Sequence, residues 1–129
     1  MEQHERQAAD FAAKHGVKLS VIGDPEYRKY FNDDNQARYV FRLRLTRGRK
    51  SYTFTFGQSI NDGSKRPTMY EVLASMTKYD PESFENFCDE YGYDSDSRSA
   101  EHTYKAVCRE WEAMDRLFSD CMDELQEIN

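Results

Sequence analysis

The chain has 129 residues, of which 38% are hydrophobic and 33% charged, and its formal net charge at pH 7 is −6. This length predicts a single domain over residues 1–129 with one buried core, and its eight Phe, nine Tyr and one Trp argue against an intrinsically disordered chain. No apolar stretch is long enough to span a bilayer, and three widely spaced cysteines (Cys88, Cys108, Cys121) indicate the reduced thiols of a cytoplasmic protein.

A short helix and one strand are predicted at the start of the chain. Residues 2–15 carry apolar side chains at helical spacing, and Gly16 is a typical helix stop. Residues 17–21 alternate between apolar and polar types, as in a half-buried strand. Residues 26–36 remain ambiguous, because their aromatic spacing is helical whereas NDDN within them is typical of a turn.

Residues 38–56 predict a β-hairpin. In ARYVFRLRLT and SYTFTF, large apolar residues alternate with Arg, Thr and Ser, and the link RGRK contains Gly48. One face is therefore aromatic and aliphatic, whereas the other carries Arg42 and Arg44 with threonines. This pattern is typical of an antiparallel sheet with one solvated face.

After a loop predicted at 57–67, the apolar residues recur at helical spacing instead of alternating as in a strand. Thr68 and Glu71 form a T-x-x-E capping box that opens the first of these helices. Asp80 and Pro81 have the residue types of an N-cap and a first helical position, so a second helix is predicted to begin there.

The longest predicted helix begins at Ser97 or Ser99, after a stop at Gly92. Trp111 lies on its apolar stripe, and we expect it to be buried. Ser119 is predicted to cap a last turn or two. The fold class is therefore α+β: a small antiparallel sheet of about three strands, packed against a C-terminal helical cluster, with a short N-terminal helix.

Charge is divided unequally along the chain. Residues 1–66 hold 13 Lys+Arg against eight Asp+Glu, whereas residues 67–129 hold five against 16. The first part therefore has a net charge of +5 and the second −11. An asymmetry of this size indicates interaction surfaces, although acidic helices also serve solubility.

The stretch DEYGYDSDSRSAE contains a D-x-D pair that resembles the start of a calcium loop. Counted from Asp94, however, the positions that require a ligand, a glycine and a glutamate hold Arg98, Ser99 and Lys105. The histidines and cysteines also lack the close pairs of a zinc site. We therefore expect neither a bound metal nor a cofactor.

Catalytic motifs are incomplete wherever they are suggested. GQSIN lacks the final glycine of a nucleophile elbow, and no phosphate-binding glycine loop occurs. A cysteine nucleophile paired with His102 stays open, because such partners need only be close in space. The sequence favours a protein that is not an enzyme.

Two surfaces of opposite charge are candidate binding sites. The acidic residues lie on two predicted helices and on the turn between them, where they can imitate a run of phosphates: Asp89, Glu90, Asp94, Asp96 and Glu101. The alternative is a basic hairpin face with Arg42, Arg44, Arg47 and Arg49. Aromatic residues are predicted on the opposite face of that hairpin, so they are expected in the core rather than stacked on bases. A solvated acidic face without a partner is the remaining alternative.

Three segments carry a resemblance to known proteins: YTFTFGQSI at 52–60, YDPESFENFCDEYGYDSDSRSA at 79–100 and TYKAVCREW at 103–111. Over about 50–129 the chain resembles small phage- and prophage-borne proteins, a type associated with anti-CRISPR proteins. The resemblance implies a non-enzymatic inhibitor that binds a host Cas protein. A phage nucleic-acid-associated or regulatory protein that uses the basic face is the alternative, and an enzyme with an unrecognised site is the third.

Overall fold

The computed structural model describes residues 2–29, 37–59, 65–78, 81 and 83–128. The chain divides into two compact units, Met1–Val72 and Leu73–Asn129. Its described residues form five helices and a four-stranded antiparallel sheet. The predicted α+β class, with an N-terminal helix and a C-terminal helical cluster, is confirmed. Within the described part of the chain, no helix combines the length and the apolar character that crossing a membrane requires.

Helix α1, Gln3–His15, opens the first unit and buries its apolar stripe. Ala8, Phe11 and Ala12 are its buried residues. The helix ends at Gly16, where φ is 69°. Glycine adopts this left-handed conformation without the steric cost of a Cβ, so the predicted stop is confirmed.

The sheet is organised around its longest strand, β3. The strands in chain order are β1 Val17–Val21, β2 Glu26–Lys29, β3 Ala37–Arg47 and β4 Lys50–Ser59. Strand β4 pairs along one edge of β3, whereas β1 and β2 pair with successive parts of its other edge. A two-residue turn that contains Gly48, with φ of 62°, joins β3 to β4 and confirms the hairpin.

The two faces of the hairpin differ as predicted. The cross-strand pairs on one face are Phe41 with Phe56, Leu43 with Phe54 and Leu45 with Tyr52. The β3 member of each pair is buried. On the other face, exposed Arg42 and Arg44 are opposite the exposed threonines Thr55 and Thr53. The burial of one face alone follows from the two-residue period of the strands.

Helix α2, Met69–Met76, begins at the predicted capping box. The Glu71 backbone N–H donates to Thr68 Oγ1 at 3.1 Å, and the Thr68 N–H donates to Glu71 Oε1 at 3.2 Å. Two N–H groups that the helix itself cannot satisfy are therefore bonded reciprocally.

The second unit contains three further helices: α3 Phe84–Tyr91, α4 Arg98–Phe118 and α5 Met122–Gln126. Helix α4 contacts both α3 and α5. Its buried residues are Ala100, Val107, Ala113, Met114, Leu117 and Phe118. Phe87, Cys88 and Leu125 add buried side chains from the two shorter helices.

Several boundary predictions were wrong. Helix α3 begins at Phe84 rather than Pro81, because Ser83 Oγ accepts the Asn86 N–H at 3.2 Å and caps the helix there; Asp80 lies outside the described residues. Ser119 ends α4 instead of capping α5. Residues 57–59 belong to β4 rather than to a loop.

The predicted burial of Trp111 is found only in part. Trp111 is partly buried, because the buried stripe of α4 turns toward Ala113 and Leu117.

Candidate functional site

The end of α3 and the link to α4 form an acidic corner, defined by Asp89, Glu90, Asp94 and Asp96. All four residues are exposed. Helix α3 ends at Gly92, whose φ of 75° is left-handed, and the Tyr93 N–H donates to Cys88 O at 2.9 Å. The chain therefore leaves the helix by a hydrogen-bonded reversal that directs the following residues toward α4.

Hydrogen bonds also order the link itself. Asp94 Oδ1 accepts the Asp96 N–H at 3.0 Å, and Asp94 O accepts the Ser97 N–H at 3.0 Å. Ser97 Oγ then caps α4 by accepting the N–H groups of Ser99 and Ala100 at 3.1 and 3.3 Å. Of the two helix starts predicted at Ser97 and Ser99, the structure selects Ser97 as the cap, and the Asp96 carboxylate has no capping role.

An aromatic cluster packs behind the corner. The ring of Phe87, which is 0% exposed, lies 5.1 Å from Tyr91, 5.6 Å from Tyr93 and 5.3 Å from Tyr104 between ring centroids. Phe84 also lies 5.3 Å from Tyr104. Because these rings come from α3, the link and α4, their packing holds the three segments of the corner together.

The described residues leave the negative charge of the corner without a paired cation. The pKa of the buried Cys88 thiol is raised by desolvation first and then by the negative charges of Asp89 and Asp94. No ion pair to Asp89, Glu90 or Asp94 occurs within the part of the chain that the structure describes. The second unit as a whole holds five Lys+Arg against 15 Asp+Glu.

Glu101 differs from the other predicted acidic residues. It lies in the first turn of α4, and its carboxylate forms an ion pair with Lys105 at 2.9 Å. The hydrogen bond from Lys105, and then the charge of Lys105, lower the pKa of Glu101. Glu101 therefore offers a partner less free negative charge than the residues of the acidic corner.

An open depression of about 400 Å³ lies beside the corner. It is lined by Phe84, Glu85, Asp89 and Ser95. Phe84 and Ser95 carry no site signal in the sequence, whereas the i, i+4 spacing of Glu85 and Asp89 is a signal that two carboxylates lie on one side of a helix. An aromatic ring beside two carboxylates has the chemistry to receive a lysine or arginine side chain.

The structure separates the four predicted arginines of the basic face. Arg42 and Arg44 share the exposed face of β3, where Arg44 Nε donates to Thr53 Oγ1 at 3.2 Å. Arg47 is three residues beyond Arg44, so strand alternation puts it on the other face of β3. Its Nε donates to His15 O, at the end of α1, at 2.9 Å. Arg49 is exposed in the hairpin turn. The exposed Lys18 and Ser20 of β1 extend the face of Arg42 and Arg44.

The described residues do not assemble the catalytic pair that stayed open. His102 is exposed, and no hydrogen bond joins it to a cysteine in the described ranges. Cys88 and Cys121 are buried, and Cys108 is partly buried. The hydrogen bond that Tyr104 makes to Cys108, together with burial, raises the pKa of the Tyr104 hydroxyl, which disfavours a tyrosinate nucleophile.

Comparison with known proteins found no matching family model, no matching curated protein and no matching solved structure.

Proposed function

We propose that the chain is a non-enzymatic inhibitor that binds a basic, nucleic-acid-binding surface of a host Cas protein through the acidic corner. The observation that carries this proposal is a set of exposed carboxylates at the ordered junction between α3 and α4: Asp89, Glu90, Asp94 and Asp96. Among the described residues, no cation forms an ion pair with them. The phage origin and the Cas partner rest on the sequence resemblance.

The proposed inhibition is competitive. A channel of Lys and Arg that binds phosphates gains free energy from the release of counterions, and a surface of fixed carboxylates can displace the same ions. The cluster behind the corner favours this role, because side chains that are already ordered lose little entropy on binding. A lysine or arginine of the partner would enter the depression lined by Phe84, Glu85 and Asp89.

A pull-down from a bacterial host that carries CRISPR–Cas identifies the partner, after which two triple variants are compared. The first, Asp89→Asn, Glu90→Gln and Asp94→Asn, neutralises the corner and keeps an oxygen acceptor at position 94. The control, Glu112→Gln, Asp115→Asn and Asp123→Asn, removes the same charge from exposed residues of α4 and α5.

We expect the corner variant to fold normally and to bind at least tenfold more weakly at low salt, with a smaller loss at high salt because exposed charges are screened. The control should bind like the parent. Equal affinity of the corner variant and the parent at low ionic strength would identify these acids as a solvated face with no role in binding.

A further inference from the structure

The exposed face of the sheet carries a second, oppositely charged surface. Lys18 on β1 and Arg42 and Arg44 on β3 form a basic strip, and all three are exposed. The β1–β3 register pairs Lys18 with Thr46 and Ser20 with Arg44, so the strip crosses two neighbouring strands. Arg42 and Arg44 are two residues apart, which separates their Cα atoms by about 6.6 Å along the strand.

Hydroxyl groups border the strip. The β3–β4 register pairs Arg42 with Thr55, Arg44 with Thr53 and Thr46 with Ser51. The bond from Arg44 Nε to Thr53 Oγ1 orients one guanidinium along the sheet. Arginine, lysine, serine and threonine side chains are the usual protein donors to phosphate oxygens.

The described strands carry one acid on the same face as the strip. Among the strand residues that the structure describes, Glu26 is the acid on the same face of the sheet as Arg42 and Arg44. It lies opposite Val40 and interacts with another group. No ion pair to Lys18, Arg42 or Arg44 occurs in the described ranges. Because charges beyond about 10 Å are largely screened at 0.1 M salt, the local charge of the strip outweighs the net charge of the chain for a bound polyanion.

We propose that the basic strip binds the phosphate backbone of a nucleic acid, without reading its bases. The complementary charge of a polyanion selects this occupant. The large aromatic residues of β3 and β4 lie on the opposite, buried face, so base stacking does not contribute. The affinity should therefore be independent of the nucleotide sequence and strongly dependent on the salt concentration. This inference is independent of the acidic corner and of the Cas partner.

The test is fluorescence anisotropy of labelled single-stranded and duplex DNA with the purified full-length protein over a range of salt concentrations. The strip variant is Lys18→Gln, Arg42→Gln and Arg44→Gln. The matched control is Arg6→Gln, Lys65→Gln and Arg66→Gln, three exposed cations outside the strip. Circular dichroism establishes that both variants are folded.

We expect the parent to bind both DNAs without sequence preference. On the duplex, the strip variant should bind at least about tenfold more weakly than the parent at about 50 mM salt. The plot of log affinity against log salt concentration has a negative slope, and its magnitude should decrease by about 0.9 for each lost phosphate contact. The control should keep the parental slope. No binding by the parent at about 50 mM salt, or an equal loss in the control, would overturn the proposal.

Sedimentation velocity separates a protein occupant from a nucleic acid. If the parent associates with itself through Lys18, Arg42 and Arg44 and binds neither DNA, then the strip recognises an acidic protein surface and the proposal is wrong. Either failure leaves the acidic corner and its pull-down test unaffected, because that test measures affinity for a protein partner.

Discussion

The carboxylate of Asp94 accepts the backbone N–H of Asp96 at 3.0 Å, so two acids two residues apart have different roles. Asp94 orders the link between α3 and α4, whereas the Asp96 side chain makes no cap to α4, which Ser97 supplies. Charge and structural support at this corner can therefore be removed separately.

We predict that Asp94→Ala lowers the free energy of unfolding by about 1 kcal/mol, since one side-chain hydrogen bond to the backbone is lost. Asp94→Asn keeps an oxygen acceptor and should unfold like the parent. Asp96→Asn should also leave the free energy of unfolding unchanged. Urea unfolding of the three variants checks these values, and a loss as large in Asp94→Asn as in Asp94→Ala would show that charge rather than the hydrogen bond matters.

Asp89 and Glu90 lie in the last turn of α3, where no basic residue accompanies them. Negative charge is unfavourable at the C-terminal end of a helix dipole. We predict that Asp89→Asn and Glu90→Gln together stabilise the protein by several tenths of a kcal/mol to about 1 kcal/mol at low salt, and less at high salt. Thermal unfolding at two salt concentrations measures this gain, and a destabilised double variant would contradict the dipole argument.

Phe87 and Trp111 differ in burial and so should differ in their contribution to stability. Phe87 is 0% exposed and contacts three tyrosine rings, so Phe87→Ala should cost about 3–5 kcal/mol. Trp111 is partly exposed, so Trp111→Ala should cost less. Circular dichroism is the suitable probe in urea, because Trp111 is the single tryptophan. The reverse order of the two costs would place Trp111 at the centre of the core.

Burial raises the pKa of the Glu110 carboxyl from its ordinary 4.5 to about 7. Its neighbours one turn away on α4 include Val107, Ala113 and Met114, all buried. Between these two pH values the folded protein holds a proton that the unfolded chain has released. The contribution of Glu110 to the free energy of unfolding is therefore fully present below pH 4.5 and is lost as the pH rises through about 7.

Glu110→Gln removes this titration, so the variant should gain stability relative to the parent as the pH rises through the window. Urea unfolding of both proteins at several pH values measures the difference. Glu112→Gln, an exposed neighbour on α4, is the control. A constant difference between Glu110→Gln and the parent from pH 4.5 to 7 would show that Glu110 titrates normally.

Most of the features that could be predicted from the sequence depend on groups within about four residues of each other, although the helix starts predicted at Pro81 and after Ser119 were wrong. The capping box of Thr68 and Glu71 and the left-handed stops at Gly16 and Gly92 were all predicted and found. The hairpin around Gly48 belongs with them, because its turn and alternation are local. Caps and tight turns satisfy backbone groups with neighbouring side chains, so the residue types carry the information.

Which residues of different strands and helices share a surface depends on the tertiary structure. The register of β1 on β3 brought Lys18 and Ser20 beside Arg44, and the end of α1 supplied His15 O as the acceptor for Arg47. Packing likewise rotated the buried stripe of α4 and left Trp111 partly exposed. These outcomes depend on pairings between residues distant in sequence, and local periodicity does not specify the partner strand or helix against which a side chain packs.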